Sequence, residues 1–96
     1  MSTADRPRFV AIVNPASGRG SALPRVLGVQ RALHRRGAEL EIIPTARPGH
    51  ATEIAARLDA SVRAVLIAGG DGTVCEVAGG LRDLHVPFVV LPLGTE

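Results

Sequence analysis

The chain has 96 residues, which is enough for one domain with a modest core and too few for a complete two-domain enzyme. Tyr and Trp are absent and Phe occurs twice, so the core must be built from Val, Leu, Ile and Ala. All eleven basic residues are arginine, and they are scattered among nine acidic residues with a net charge of +2. A surface with neither a basic patch nor stacking aromatics argues against nucleic-acid binding.

The N-terminal segment and the cysteine content indicate in which cellular compartment the protein is located. Residues 1–8 are short, polar and charged, so we expect a mobile N-terminus and no signal peptide. The longest apolar runs are far shorter than the roughly 18 residues of a membrane span. Cys75 is the single cysteine and has no disulfide partner within the chain. These features predict a cytoplasmic protein with its folded part in residues 9–96.

The first half of the chain contains a strand followed by a helix. Residues 9–13 are apolar and rich in β-branched side chains, as in a strand that is covered on both faces. A loop of small residues follows over 16–21. Leu23, Val26, Leu27 and Leu33 then recur at helical spacing, which predicts a helix that Gly37 ends.

The same alternation continues to the end of the chain. Residues 40–43 predict a second, weaker strand, and the apolar residues between 51 and 58 predict a helix. Residues 64–68 predict a third buried strand. Val74, Val77, Ala78 and Leu81 predict a third helix, and residues 87–91 a fourth strand.

This order predicts the α/β class, a three-layer fold around a parallel sheet with the sequence β-α-β-α-β-α-β. Ligands of such sheets bind beyond the carboxyl ends of the strands. The small and polar residues of the chain are concentrated at those ends, in residues 14–18, at Thr45, in residues 69–73 and in residues 92–95. We therefore expect a ligand along this edge.

Residues 69–73, Gly-Gly-Asp-Gly-Thr, form what we call the glycine loop. Consecutive glycines let backbone N–H groups converge on an oxyanion, and the helix that follows adds its dipole, so this loop predicts a phosphate site. Asp71 would repel a phosphate unless Mg²⁺ or a hydrogen-bond donor lay between them. The alternative is a simple turn, with Asp71 in an Asx-turn and Thr73 as the helix N-cap.

Other phosphate-binding motifs are excluded by composition and spacing. The chain contains no lysine, so the loop cannot be a Walker-type P-loop. Its glycine spacing also differs from that of a dinucleotide-binding fingerprint.

Four segments together resemble the catalytic domain of diacylglycerol kinases and related bacterial lipid kinases, and are similar to sphingosine kinases. They are Asn14-Pro15-Ala16-Ser17-Gly18, Thr45 with Pro48-Gly49-His50-Ala51, Gly69 to Val77, and Leu91-Pro92-Leu93-Gly94-Thr95. The glycine loop by itself is shared with NAD kinases, so the first and last segments favour lipid kinases. The resemblance spans almost the whole chain, from Val10 to Thr95.

The resemblance implies an ATP site along the strand ends. The nucleotide-binding residues that it implies are Asn14, Pro15, Ala16, Ser17, Gly18, Thr45, Gly69, Gly70, Asp71, Gly72, Thr73, Val74, Cys75, Glu76 and Thr95. No metal ligand is assigned, except that Asp71 could contact Mg²⁺ brought by ATP. Cys75 occupies a position where the family usually has Asn, which puts a polar contact there in doubt.

The resemblance also implies an activity, cofactors and partners. The expected reaction transfers the ATP γ-phosphoryl group to a lipid hydroxyl with Mg²⁺, at the inner face of a membrane. Such kinases carry a second, β-rich domain with the catalytic base. We expect residues 9–96 to be the ATP-binding subdomain only, inactive by itself and without a catalytic residue. A second copy of the chain, in a homodimer, is a further candidate partner. An NAD kinase-like enzyme and a non-catalytic nucleotide-binding module remain the alternative functions.

Three further residues have two readings each. Glu76 either stabilises the first turn of its helix or contributes to the nucleotide site. Arg19 either pairs with a phosphate or is a solvated loop residue. His50 is expected to be partly exposed near the start of the second helix, with a phosphate role as the alternative.

Overall fold

The computed structural model describes residues 6–93, and residues 1–5 and 94–96 lie outside the described part. The elements in chain order are β1 (Arg8–Val13), a 3-10 turn (Ser17–Gly20), α1 (Ala22–Arg35), β2 (Glu39–Pro44), α2 (His50–Ala56), β3 (Val62–Ala68), α3 (Asp71–Leu81) and β4 (Phe88–Val90). The predicted β-α-β-α-β-α-β order is confirmed.

The four strands form one parallel sheet in the order β2-β1-β3-β4. β1 lies between β2 and β3, and its register with β2 runs from Arg8 opposite Glu39 to Val13 opposite Pro44. Its last four residues, 10–13, are completely buried. A continuous apolar strand is what a central parallel position requires, because both faces are covered by helices.

Helices cover the two faces of the sheet. Val10 and Ile12 of β1 belong to the cluster that contains the buried side chains of α2 and α3. Ala11 and Val13 point to the opposite face and pack with Val26 of α1. Alternate residues of one strand therefore serve two cores, which confirms the predicted three-layer architecture.

Helices α2 and α3 lie against each other at Gly80. A Cβ added at Gly80 would lie 2.7 Å from the Cβ of Ala55 and would overlap the carbonyl oxygen of Thr52. Only glycine permits this approach of the two backbones. Gly79, its neighbour, is exposed, and a Cβ there would meet nothing within 4 Å.

Two sequence-based expectations need correction. β1 begins at Arg8, which pairs with Glu41 at 2.9 Å, so the last residue of the segment predicted to be mobile belongs to the sheet. Ala78 was expected on the apolar face of α3, yet it is exposed, and the buried residues of this helix are Val77 and Leu81. Helix α3 packs mainly against α2, so the buried side of α3 is narrower than the spacing of its apolar residues suggested.

The edge strand β4 is short and exposed. It pairs with β3 only, and Phe88, Val89 and Val90 are each more than two-fifths accessible. Within residues 6–93, no helix combines the length and the apolar character that crossing a membrane would require.

Candidate functional site

A cleft of about 520 Å³ opens at the carboxyl ends of β1 and β2, beside the start of α3. We call it the strand-end cleft. It is lined by Asn14, Pro15, Ala16, Thr45, Ala46, Arg47, Pro48, Ala51, Gly72, Thr73 and Glu76. Seven of these residues were predicted for the nucleotide site from the sequence. Three stretches far apart in the chain thus meet where parallel-sheet topology predicts a ligand.

The loop after β1 is shaped by Asn14. Its backbone N–H donates to the carbonyl oxygen of Ala68 at 2.8 Å, and its side-chain oxygen accepts the N–H of Ala16 at 3.1 Å. This Asx-turn directs Pro15 and Ala16 towards the cleft. Ser17 and Gly18 were also predicted for the site, but they belong to the 3-10 turn and do not line the cleft.

The glycine loop carries the chain from β3 into α3. Gly69 lies so close to Thr73 that an added Cβ would be 2.6 Å from the threonine hydroxyl oxygen. Gly70 has φ −84° and ψ −171°, and an added Cβ would meet nothing within 4 Å. Gly69 is therefore required by the packing of the protein itself, whereas Gly70 is not.

Helix α3 begins at Asp71, with Gly70 at the N-cap position, and no side chain of the described residues caps it. Thr73 lies in the first turn, so the expectation that it could be the N-cap is wrong. The N–H groups at a helix start have no partner inside the helix. In α3 they are left for solvent or a ligand at the cleft.

Part of the predicted stretch 69–76 turns away from the cleft. Val74 packs against the core between the sheet and α2. Asp71 and Cys75 are exposed and do not line the cleft, and neither do Gly69 and Gly70. Helical geometry explains the split, because residues at successive positions of α3 point in different directions.

The loop after β2, residues 45–49, forms a second wall of the cleft, and we call it the Thr45 loop. The N–H of Thr45 donates to the carbonyl oxygen of Val13 at 2.7 Å. The N–H of Ala46 donates to Nδ1 of His50 at 2.8 Å. His50 therefore holds the loop by a hydrogen bond to its backbone.

Glu76 fastens the other end of the Thr45 loop. Its two carboxylate oxygens accept the N–H of Gly49, each at 3.2 Å, and its carbonyl oxygen accepts the hydroxyl of Thr52 at 3.1 Å. The reading of Glu76 as a first-turn residue is wrong, since α3 begins at Asp71. Glu76 instead joins α3 to the start of α2, while its side chain also lines the cleft.

Arg47 is a cleft residue that the sequence did not single out. Its guanidinium binds both carboxylate oxygens of Glu53, at 2.7 and 2.8 Å. Hydrogen bonding to Arg47 is the main cause that lowers the pKa of Glu53, and the same bond raises the pKa of Arg47. Arg19, the arginine considered from the sequence, does not line the cleft. The one available signal was the place of Arg47 between Thr45 and Gly49, inside a segment that carries the resemblance.

The segment after β4 is described only in part. The N–H of Leu91 donates to the carbonyl oxygen of Ile67 at 2.8 Å, and Arg25 donates to the carbonyl oxygen of Pro92 at 2.7 Å. These bonds direct the chain towards the same edge of the sheet. Thr95, the last predicted site residue, lies outside the described residues.

A larger cavity of about 750 Å³ lies at the opposite end of the sheet, between the end of α1 and the start of β2. It contains none of the predicted site residues, and its charged residues have both signs, including Arg31, Arg35, Glu39 and Glu41. Size alone does not make it the functional site, because strand topology and the glycine loop favour the other edge. Among residues 6–93, no group of three His, Cys, Asp or Glu side chains is arranged to hold a metal ion.

Comparisons with known proteins identify the family of the chain. The family described as diacylglycerol kinase catalytic domain matches residues 8–96. A diacylglycerol kinase of Mycobacterium tuberculosis is 30% identical over 89 residues, which cover 92% of this chain and 29% of that protein. Sphingoid long-chain bases kinase 1 of Arabidopsis thaliana is 28% identical over 100 residues, 94% of this chain and 13% of that protein.

Solved structures show the same fold. A crystal structure of a diacylglycerol kinase from Bacillus anthracis str. Sterne superimposes with a TM-score of 0.74 and 29% identity, over 92% of this chain and 33% of that one. The chain therefore spans a third or less of each of these relatives. Since the family matches nearly the entire sequence and the fold is shared, the chain belongs to the diacylglycerol kinase catalytic domain family.

Proposed function

We propose that this chain is the ATP-binding subdomain, residues 9–96, of an ATP-dependent lipid kinase, and that ATP binds in the strand-end cleft. The observation that carries the proposal is the uncapped start of α3, which borders a cleft formed by three loops of the family's motifs. The relatives named above are a diacylglycerol kinase and a sphingoid long-chain bases kinase, which supports a hydroxyl group of a lipid as the acceptor.

The glycine loop supplies the physical basis for phosphate binding. The N–H groups of the first turn of α3 donate to phosphate oxygens, and the helix dipole adds about 0.3–1 kcal/mol for a nearby negative charge. A Cβ at Gly70 or at Gly72 would meet no protein atom within 4 Å. Packing therefore does not account for these two glycines, whereas the close approach of a phosphate does.

The proposed site extends from the strand-end cleft to the exposed start of α3, outside the cleft lining, and its groups fit a nucleoside triphosphate and its metal. Thr73 offers a hydroxyl at the cleft wall, and Asp71 offers an exposed carboxylate at the start of α3. Mg²⁺ would enter with the nucleotide, where it neutralises phosphate charge. Asp71 would then contact the metal or its water shell, and Gly70 and Gly72 would admit the phosphates.

The acceptor half of the reaction belongs to the rest of a full-length protein. Phosphoryl transfer requires groups on both sides of the transferred phosphorus, and the strand-end cleft supplies one side. We place the catalytic base and the lipid contact in a β-rich second domain, and the working enzyme at a membrane surface. The 96-residue chain by itself is expected to transfer no phosphate to lipid, and product above a no-protein control would contradict this.

The decisive experiment uses the full-length protein and ATP labelled at the γ-phosphate. Diacylglycerol vesicles, a sphingoid base and NAD are offered as separate acceptors, and label is expected in a lipid. Label in NAD alone would make the protein an NAD kinase. Absence of both transfer and ATP binding would leave a non-kinase module and refute the proposal.

A further inference from the structure

The charge of the strand-end cleft comes from two side chains among the described residues. Arg47 is the one basic residue in its lining, and Glu76 is the one acidic residue. The Glu76 carboxylate is already engaged by the N–H of Gly49. Arg47 is therefore the group of the described cleft best suited to balance the negative charge of a phosphate chain.

The backbone around Arg47 is held in place. The Thr45 loop is tied to β1 through Thr45, to His50 through Ala46 and to α3 through Gly49. In addition, the carbonyl oxygen of Arg47 accepts the N–H of His50 at 3.1 Å. The backbone that carries the side chain is therefore held before a ligand binds, which limits the entropy lost on binding.

The partner of Arg47 is one that a phosphate can replace. Arg47 and Glu53 form two short hydrogen bonds, but their side chains are 54% and 48% exposed. Exposed ion pairs contribute little because water screens them. The planar guanidinium fits two phosphate oxygens as well as it fits two carboxylate oxygens, and a phosphate chain carries more charge.

From this geometry we infer that Arg47 is a phosphate-binding residue of the cleft, and that its guanidinium passes from Glu53 to the nucleotide phosphates when ATP binds. The inference rests on the proposed function and names a residue within it. It also explains how a chain without lysine supplies a mobile positive charge to its phosphate site.

The test measures binding of ATP and of adenosine to the full-length protein by calorimetry. Arg47→Ala is expected to weaken ATP binding by about tenfold or more, as for loss of a charged hydrogen bond, and to change adenosine binding less than twofold. Arg47→Lys keeps the charge without the two-pronged geometry, so its affinity for ATP lies between those of Arg47→Ala and the wild type.

Arg57→Ala is the matched control. Arg57 is exposed, follows α2 directly and lies outside the cleft lining, so its removal takes the same charge from the molecule without changing the cleft. ATP affinity is expected to change less than twofold. An equal loss in Arg57→Ala and Arg47→Ala would reveal a general field effect and overturn the assignment of Arg47.

Glu53→Gln tests the exchange of partners. It removes the competing carboxylate and leaves Arg47 charged, so ATP affinity is expected to rise by up to about fivefold. A fall in ATP affinity would contradict the exchange. Thermal melting of each variant verifies that the fold is retained.

The remaining outcomes separate this inference from the proposed function. If the wild type binds ATP and Arg47→Ala binds it equally well, Arg47 is not a phosphate ligand, whereas the kinase proposal stands. If the wild type binds no ATP, both fail. Binding of the wild type and of Arg47→Ala to vesicles with and without anionic lipid shows whether Arg47 binds the phosphate of a lipid headgroup rather than that of ATP. Loss of vesicle binding with unchanged ATP binding in Arg47→Ala would assign this residue to a lipid headgroup and overturn the inference.

Discussion

At the scale of single residues, two adjacent glycines of the glycine loop differ in their surroundings. Gly69 is confined by Thr73, whose side-chain atoms would lie 2.6–2.9 Å from an added Cβ. Gly70 has ordinary extended backbone angles and open space around it. A methyl group at Gly69 is expected to disturb the protein, whereas one at Gly70 is expected to disturb only the proposed ligand.

Gly70→Ala is therefore expected to leave the free energy of unfolding within about 0.5 kcal/mol of the wild type and to weaken ATP binding at least tenfold. Gly69→Ala forces Thr73 to move and is expected to cost about 1–3 kcal/mol of stability. Chemical denaturation and calorimetry measure the two effects. Wild-type ATP affinity in Gly70→Ala would remove the glycine loop from the phosphate site.

Glu76 provides a second test at this scale. Glu76→Ala leaves the N–H of Gly49 without its acceptor, and we expect it to cost about 1–3 kcal/mol of stability. Glu76→Gln keeps an oxygen in place and is expected to lose less than half as much. If denaturant titrations gave Glu76→Ala and Glu76→Gln the same loss of stability, the negative charge of Glu76 and not its hydrogen bond would be the source of the stabilisation.

At the scale of the elements, the contact between α2 and α3 gives neighbouring glycines opposite roles. Gly79 is exposed in α3, so Gly79→Ala is expected to stabilise the protein by about 0.5–1 kcal/mol through helix propensity. Gly80→Ala drives a methyl group into Ala55 and the backbone of Thr52, and is expected to destabilise by about 1–3 kcal/mol. Thermal and denaturant unfolding of the pair measures both signs. The same sign in both variants would refute close packing at Gly80.

The link between the Thr45 loop and α2 predicts a dependence on pH. Hydrogen bonding to Arg47 lowers the pKa of Glu53 below its ordinary 4.5. The ionised Glu53 therefore stabilises the folded protein at every pH above its pKa in the unfolded chain, and this stabilisation is lost as the pH falls through its pKa in the folded protein. The stability difference between wild type and Glu53→Gln is thus expected to be constant from pH 8 to about pH 5 and to shrink in more acidic solution. A difference that shrinks between pH 8 and 6 would contradict this assignment.

The sequence predicted the elements well because their signals are local. Residues 10–13 and 64–68 are continuous apolar runs, as a strand covered on both faces requires. It predicted the glycine loop and Asn14 because both follow such strands. It missed the contact of Glu76 with Gly49, 27 residues away, and the presence of Arg47 in the cleft, since both depend on how two loops meet in space. Ala78 was misassigned because helical periodicity does not give the width of the buried face.

At the scale of the whole molecule, β4 is the least protected part of the sheet. Val89 is 59% exposed, and Phe88 and Val90 beside it are also exposed. The second side of this apolar edge strand is unpaired within residues 6–93, and such an edge favours pairing with a strand of another chain. The 96-residue chain is therefore expected to self-associate as its concentration rises.

Val89→Lys is the corresponding test, because a charge on an edge strand opposes strand pairing. Sedimentation velocity over a range of concentrations is expected to show less association in this variant than in the wild type. Leu27→Lys is the control, because Leu27 is an exposed apolar residue that lies on α1, away from the edge strand. This variant is expected to associate as the wild type does. Equal association in all three proteins would direct attention to a different surface.

The bond between Glu76 and Gly49 has a consequence for the whole cleft. It joins the helix that starts at the glycine loop to the helix that starts at the Thr45 loop, so two separate β-α units form one hydrogen-bonded wall. A ligand that enters meets a surface that was ordered when the protein folded. Little of the binding free energy is then lost in ordering the wall, and the rearrangement that we propose is confined to the side chain of Arg47.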